Sequence, residues 1–140
     1  MSLNLGNLVL NGKCHVMGIL NVTPDSFYDG GKHFDLIDTK RRVDSMIKEG
    51  VKIIDVGGES TRPGSKPVTV EEELQRVIPA IEYISERYDV VVSIDTQKAK
   101  VAKKAIEAGA HIVNDVGGLR NNDMISIISE KNIPVIIMHM

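Results

Sequence analysis

Cys14 is the single cysteine in 140 residues. One thiol makes no intramolecular disulfide and no zinc cage, and such scarcity points to reducing cytoplasm rather than a stapled, secreted domain. Basic charge is also not in excess: 17 Lys and Arg stand against 19 Asp and Glu, a net −2. That balance argues against an electrostatics-led nucleic-acid or membrane binder, which needs surplus cations to neutralise phosphate. No apolar run approaches the ~20 residues of a membrane span. Residues 1–6 have no basic n-region and no long apolar h-region, so no signal peptide is expected. Low-complexity segments and linkers are missing too. What remains is 42% hydrophobic and 26% charged, the balance of a globular chain and not of a disordered one, at a length suited to one domain.

Apolar, β-branched runs recur at 14–20, 51–56, 90–94, 111–113 and 134–138. They are short and nearly continuous, the pattern of strands covered on both faces in a parallel sheet. Amphipathic stretches separate them. Residues 36–49 place Ile37, Val43, Met46 and Ile47 near one face, with Gly50 as the stop. Thr69-Val70-Glu71-Glu72 is a capping-box sequence that opens a helix with Leu74, Val77, Ile78, Ile81 and Ile84 on one stripe. Pro79 inside that stripe leaves room for a kink or a lost hydrogen bond. Thr96 can cap a third helix, stopped by Gly109, and Asn121 or Asn122 a fourth, ending near Asn132. The order is β-α-β-α-β-α-β-α-β, an α/β architecture of parallel strands with helical crossovers.

A polar group terminates each strand on the same, carboxyl, side. Asn21 ends the first. The second carries Asp55 and then Gly57, Gly58 and Glu59. Asp95 and Thr96 end the third, Asn114 and Asp115 the fourth, and His139 the fifth. In a closed βα barrel that edge holds the active site, and in an open sheet it holds the ligand. Asn and Asp in these positions also make turns and helix caps, which explains single positions more easily than the whole series. Asp55 lies within its strand, where a cap is of no use; pairing with Arg62 or with a backbone amide would satisfy it. Two loops, 21–31 and 57–67, are longer than a βα connection needs. Arg62 offers a planar donor fork for carboxylate or phosphate, and Ser60, Thr61 and the glycine amides add donors. Neither loop matches a nucleotide-binding glycine pattern.

Residues 17–27, Met-Gly-Ile-Leu-Asn-Val-Thr-Pro-Asp-Ser-Phe, with Asp29-Gly30-Gly31 after them, resemble the first signature of the dihydropteroate synthases. Residues 55–64, Asp-Val-Gly-Gly-Glu-Ser-Thr-Arg-Pro-Gly, resemble the second. Ser93-Ile94-Asp95-Thr96 and Ile112-Val113-Asn114-Asp115 resemble two shorter segments in the expected order. The resemblance implies a (β/α)8 barrel of TIM type that joins 6-hydroxymethyl-7,8-dihydropterin diphosphate to p-aminobenzoate, giving 7,8-dihydropteroate and diphosphate in folate synthesis. It implies Asn21 at the Mg2+–diphosphate end, as metal ligand and catalytic residue. Asp95 and Asn114 would hydrogen-bond the pterin, with Asp55 and Met138 in the same subsite. Thr61, Arg62 and Pro63 would form the mobile p-aminobenzoate loop, the region of sulfonamide contact, with Thr61 and Arg62 also catalytic. A homodimer is implied for the intact enzyme.

A (β/α)8 barrel typically takes about 250 residues. The resemblance therefore covers four βα units and a fifth strand in a single pterin-binding domain, 1–140. The chain is expected to be the N-terminal half of such an enzyme, with little turnover alone. Two other readings are a related pterin-binding methyltransferase domain and a self-associating, non-catalytic half-barrel. His15, His33, His111 and His139 share no ligand spacing on one helix, which disfavours a metal cage. Cys14 is expected as a small buried hydrophobe, Met17, Met138 and Met140 as core or pocket wall, and Lys98, Lys100, Lys103 and Lys104 as a solvated helix face.

Overall fold

The computed structural model describes residues 2–23 and 36–139. It begins with a hairpin that the hydrophobic pattern alone does not announce. Strands β1 (Leu3–Leu5) and β2 (Leu8–Leu10) pair antiparallel across a two-residue turn, Gly6-Asn7. The signal is nonetheless present: short apolar-rich runs flank a glycine–asparagine turn.

The remaining elements alternate as expected. They are β3 (Met17–Asn21), α1 (Leu36–Lys48), β4 (Ile53–Gly57), α2 (Val70–Arg87), β5 (Val91–Asp95), α3 (Ala99–Ala108), β6 (Ile112–Asp115), α4 (Asn122–Lys131) and β7 (Val135–Ile137). The strands form one five-stranded parallel sheet in the order β3-β4-β5-β6-β7. Sequential parallel neighbours joined by helices are the repeating unit of a βα barrel.

Because side chains alternate along a strand, the register sorts them into rows. Leu20, Ile54, Val56, Val92, Ile94 and Val113 fall on one face. They are fully buried in a cluster with Val43, Val77, Ile81, Ile84, Val101 and Met124 from the helices. The opposite face carries three rows: Met17, Ile53 and Val91; then Ile19, Asp55, Ser93 and Ile112; then Asn21, Gly57, Asp95, Asn114 and Ile136. Leu5 of the hairpin packs on Ile53, Val91 and Ile112, with Leu8, Leu10 and Met17 around it. The hairpin thus closes the lower end of this face, while Ile19 above remains 59% exposed.

The capping box at Thr69 forms fully: the Glu72 amide donates to Thr69 Oγ1 at 3.2 Å, and the Thr69 amide donates to Glu72 Oε2 at 2.9 Å. Helix α2 continues through Pro79. Asn121 caps α4, accepting from the Asp123 amide at 2.9 Å, and Asn132 ends it in the left-handed region.

Several expectations need correction. Ile37 is 71% exposed and lies off the packed face of α1, which Val43, Met46 and Ile47 supply. Thr96 does not cap α3. Its Oγ1 accepts from the Lys98 amide at 3.1 Å, a turn that precedes the helix, and Lys98 holds the cap position without a side-chain capping bond. Cys14 is exposed, because β3 starts only at Met17 and leaves 11–16 as irregular chain. Residues 24–31 of the first signature, His33 and Met140 lie outside the described residues.

Candidate active site

The top row of the helix-free face is polar. Asn21, Asp95 and Asn114 stand at the carboxyl ends of β3, β5 and β6, with Gly57 between Asn21 and Asp95. Asp55 lies one row below. Gly57 lies directly beside Asp95: a Cβ there would touch Asp95 Oδ2 at 3.4 Å and Asp95 Cβ at 3.5 Å, ordinary contact distances.

Asp55 is buried. Asn114 Nδ2 donates to its Oδ2 at 3.1 Å; among the described residues Oδ1 has no partner, nor does the buried Ser93 Oγ. Among the described residues neither partner expected from the sequence, Arg62 or a backbone amide, meets it; Asn114, two strands away and one row up, does. Burial pushes the Asp55 carboxyl above its usual range, with the Asn114 hydrogen bond pulling the other way. Burial also pushes Asp95 up to about 6, and the charges of Asp55, Glu73 and Asp115 add to the rise. The floor of this face is rich in acceptors and short of donors. Placing such groups together costs solvation, which a ligand carrying N–H donors restores.

Asp115 points away from this floor and organises the next loop. Its Oδ1 accepts from the Gly117 amide at 2.8 Å and its Oδ2 from the Leu119 amide at 2.9 Å. That loop and the end of β7 line a cavity of about 280 Å³ with Gly117, Gly118, Arg120, Ile137, Met138 and His139. The structure therefore brings Met138 and His139 to the same edge. Met138 is 54% exposed, which suits a wall of an open cleft and not a core position. Arg120, which no sequence motif singles out, brings a guanidinium to this edge.

Thr61, Arg62 and Pro63 lie on the exposed loop that follows β4. Its internal bonds make a compact turn: Ser65 Oγ donates to the carbonyls of Ser60 and Arg62, and the Ser65 amide to Arg62 O at 3.1 Å. The Arg62 side chain stands exposed on this turn, where an anion can reach its donor fork. Asn21 is exposed, and Arg42 Nη1 donates to its carbonyl at 3.0 Å, holding the end of β3.

A family model for pterin binding enzymes matches residues 17–140. The chain belongs to this family. The dihydropteroate synthase of Escherichia coli K12 is 54% identical over 126 residues, which cover 90% of this chain and 45% of that protein. The solved structure of Xanthomonas albilineans dihydropteroate synthase with 4-aminobenzoic acid aligns with a TM-score of 0.89 at 42% identity, over 99% of this chain and 51% of that one. A Yersinia pestis dihydropteroate synthase solved with a sulfonamide drug aligns with a TM-score of 0.88 at 44% identity, over 100% of this chain and 51% of that one. The chain spans about half the length of the curated relatives it matches.

Lys98 is the residue whose place differs most from its sequence reading. Spacing assigns it to a solvated lysine face with Lys100, Lys103 and Lys104, which are exposed. Its Nζ instead reaches Glu59 Oε2 at 2.6 Å and Glu73 Oε2 at 2.7 Å, and Glu73 is 1% exposed. The local hint is a glutamate on the apolar side of α2, one residue before Leu74.

Proposed function

We propose that the chain provides the pterin-binding part of a dihydropteroate synthase, which joins 6-hydroxymethyl-7,8-dihydropterin diphosphate to p-aminobenzoate in folate biosynthesis. The observation that carries this is the acceptor-rich floor of Asp55, Asp95 and Asn114, with one carboxylate oxygen buried and unpartnered among the described residues. Family membership and the dihydropteroate synthase relatives support the same reading.

In this reading Asp95 accepts from the ring N–H and exocyclic amine of the pterin, and Asn114 offers its remaining donor and acceptor to the same edge. Asp55 holds Asn114 in orientation. Arg62 and the hydroxyl of Thr61 meet the second substrate or the anionic leaving group, and Pro63 stiffens their loop. The amine nitrogen of p-aminobenzoate forms a bond to the exocyclic methylene carbon of the pterin. The carbon–oxygen bond to diphosphate breaks, the electron pair leaves with diphosphate, and the amine gives up a proton. The protein's work is positioning, donor placement and exclusion of water from an electrophilic carbon.

The carboxamide oxygen of Asn21 suits Mg2+, a hard cation that keeps waters and binds mainly through substrate phosphates. In this reading Asn21 and the diphosphate would hold it. Bound there, Mg2+ supplies charge neutralisation for the leaving diphosphate. Sulfonamides compete for the p-aminobenzoate position in this reading. A homodimer and a cytoplasmic location belong to it as well.

The test is a condensation assay on the full-length protein with both substrates, following dihydropteroate. Product formation that falls sharply in Arg62→Ala and Asp95→Asn is the expected result. Pterin binding without any condensation would refute the synthase reading and leave a pterin-binding domain of another activity.

A further inference from the structure

Lys98, Glu59 and Glu73 form a connection that the chemistry above does not use. Glu59 is the second residue of the loop after β4, and Val68 is near its last. The Val68 amide donates to Glu59 Oε2 at 3.1 Å, so the loop is closed on itself by a side chain at its own start. The same oxygen takes the Lys98 ammonium, which also binds Glu73 on α2. Beside them Arg76 Nη1 donates to the Gly58 carbonyl at 2.8 Å. A Cβ on Gly58 would meet Val77 Cγ1 at 2.9 Å and Glu73 Cγ at 3.1 Å, so the backbone entering the loop is pressed directly onto α2.

The placement of Lys98 is not what local stability would choose. It occupies the N-cap of α3, where a positive side chain opposes the helix dipole. Glu73 is a buried carboxylate, and a buried ion pair is commonly matched or exceeded in stability by apolar residues of the same shape. What the ion cluster supplies that apolar residues could not is a fixed direction. Burial works against ionisation of both Glu59 and Lys98, but Lys98, the Val68 amide and Arg76 together hold Glu59 below its usual range, and Glu59 and Glu73 together hold Lys98 above its own. Glu59 and Lys98 therefore stay ionised at neutral pH. From the Glu59–Lys98 contact, one direction leads into Thr61, Arg62 and Pro63. The other leads back three residues to Asp95.

We propose that Lys98 is a positioning residue: by gripping Glu59 and Glu73 it sets the height and tilt of the loop carrying Thr61, Arg62 and Pro63 over the Asp95 floor, and so governs binding of the amine substrate. The proposal rests on the dihydropteroate synthase reading for the identity of that substrate. It differs from that reading in naming a residue that touches neither substrate.

Two measurements on Lys98→Met and Lys98→Arg test it in the full-length protein. The first is hydrogen exchange. Lys98→Met should speed exchange in residues 59–68 by about tenfold or more and leave β4 and β5 as slow as in the wild type. The second is steady-state kinetics with both substrates. Lys98→Met should raise KM for p-aminobenzoate about tenfold and change KM for the pterin diphosphate less than about twofold, while Lys98→Arg restores most of the loss. Unchanged exchange in the loop overturns the clamp. Equal rises in both KM values, or loosening that spreads through β4 and β5, reduce Lys98 to a stability role and overturn it also. Faster loop exchange with an unchanged KM for p-aminobenzoate overturns the link to the amine substrate. A wild-type protein that never uses p-aminobenzoate shows that the functional reading itself has failed, and this is seen before any variant is made.

Discussion

Replacing Asp95 with Asn separates what this carboxyl costs the fold from what it does for the ligand. In the folded chain its pKa stands at about 6, against 3.8 for an unperturbed aspartate, through burial and the nearby charges of Asp55, Glu73 and Asp115. The folded state therefore holds the proton more tightly than the unfolded state. Below pH ~3.8 both states are protonated and there is no penalty. Between about 4 and 6 the unfolded chain ionises first and stability falls, and above about 6 the loss is complete. Two pKa units correspond to at most ~3 kcal/mol. Asp95 is only partly buried, and solvent screening reduces this to about 1–2 kcal/mol. Asn keeps the shape and cannot ionise. The variant should thus be more stable than the wild type by about 1–2 kcal/mol at pH 7.5, or roughly 3–8 °C in Tm. The advantage should vanish near pH 3.5. Urea unfolding of both proteins from pH 3.5 to 8 measures it, and the other acids cancel to first order in the difference. The same variant should bind a pterin at least about 10²-fold more weakly, because an amide N–H replaces one of two acceptors. An Asp95→Asn protein less stable than wild type at pH 7.5, with a difference that does not shrink toward acid, would refute the account of this site.

Other outcomes follow from the same geometry. Pterin affinity should decline as pH falls through about 6, since the acceptor form of Asp95 is lost there; isothermal titration at pH 5, 6 and 7.5 would show a flat profile if Asp95 took no part. Gly58→Ala should destabilise by about 1–3 kcal/mol, because its Cβ would lie 2.9 Å from Val77 Cγ1 in a closely packed region, and a neutral result in urea unfolding would mean that α2 yields freely. Thr69→Ala removes one half of the capping box and should cost about 1 kcal/mol, visible as a lower urea midpoint with an unchanged slope. Ile54→Ala, at the centre of the helix-covered face, should cost about 2–5 kcal/mol by the same measurement.

Much of this architecture is legible in the chain itself. Hydrophobic period, the Thr69 capping box, Asn121 before α4 and the polar residue after each strand are local features, and local sterics and hydrogen bonding decide them. They are enough to order the elements and to bring Asn21, Asp95 and Asn114 to one edge, while the signature segments carry the family. Residue neighbours across the sheet are not legible. Asp55 and Asn114 are 59 positions apart and meet only because the register of β4, β5 and β6 stacks their rows. Arg62, close in sequence, is the more obvious partner and stands elsewhere. Lys98 reads as one of four helix lysines because side-chain type and spacing cannot reveal a buried glutamate on another helix. The hairpin that packs below Asp55 escapes the pattern for a related reason: its strands are three residues each, and packing of Leu5, Leu8 and Leu10 on the sheet face around Ile53, Val91 and Ile112 supports so short a pair. The sequence determined which residues face the carboxyl edge, since strand period is a property of the backbone. The tertiary structure decided which of them are charged, paired or left open to a ligand, since those properties depend on burial and on neighbours distant in the chain.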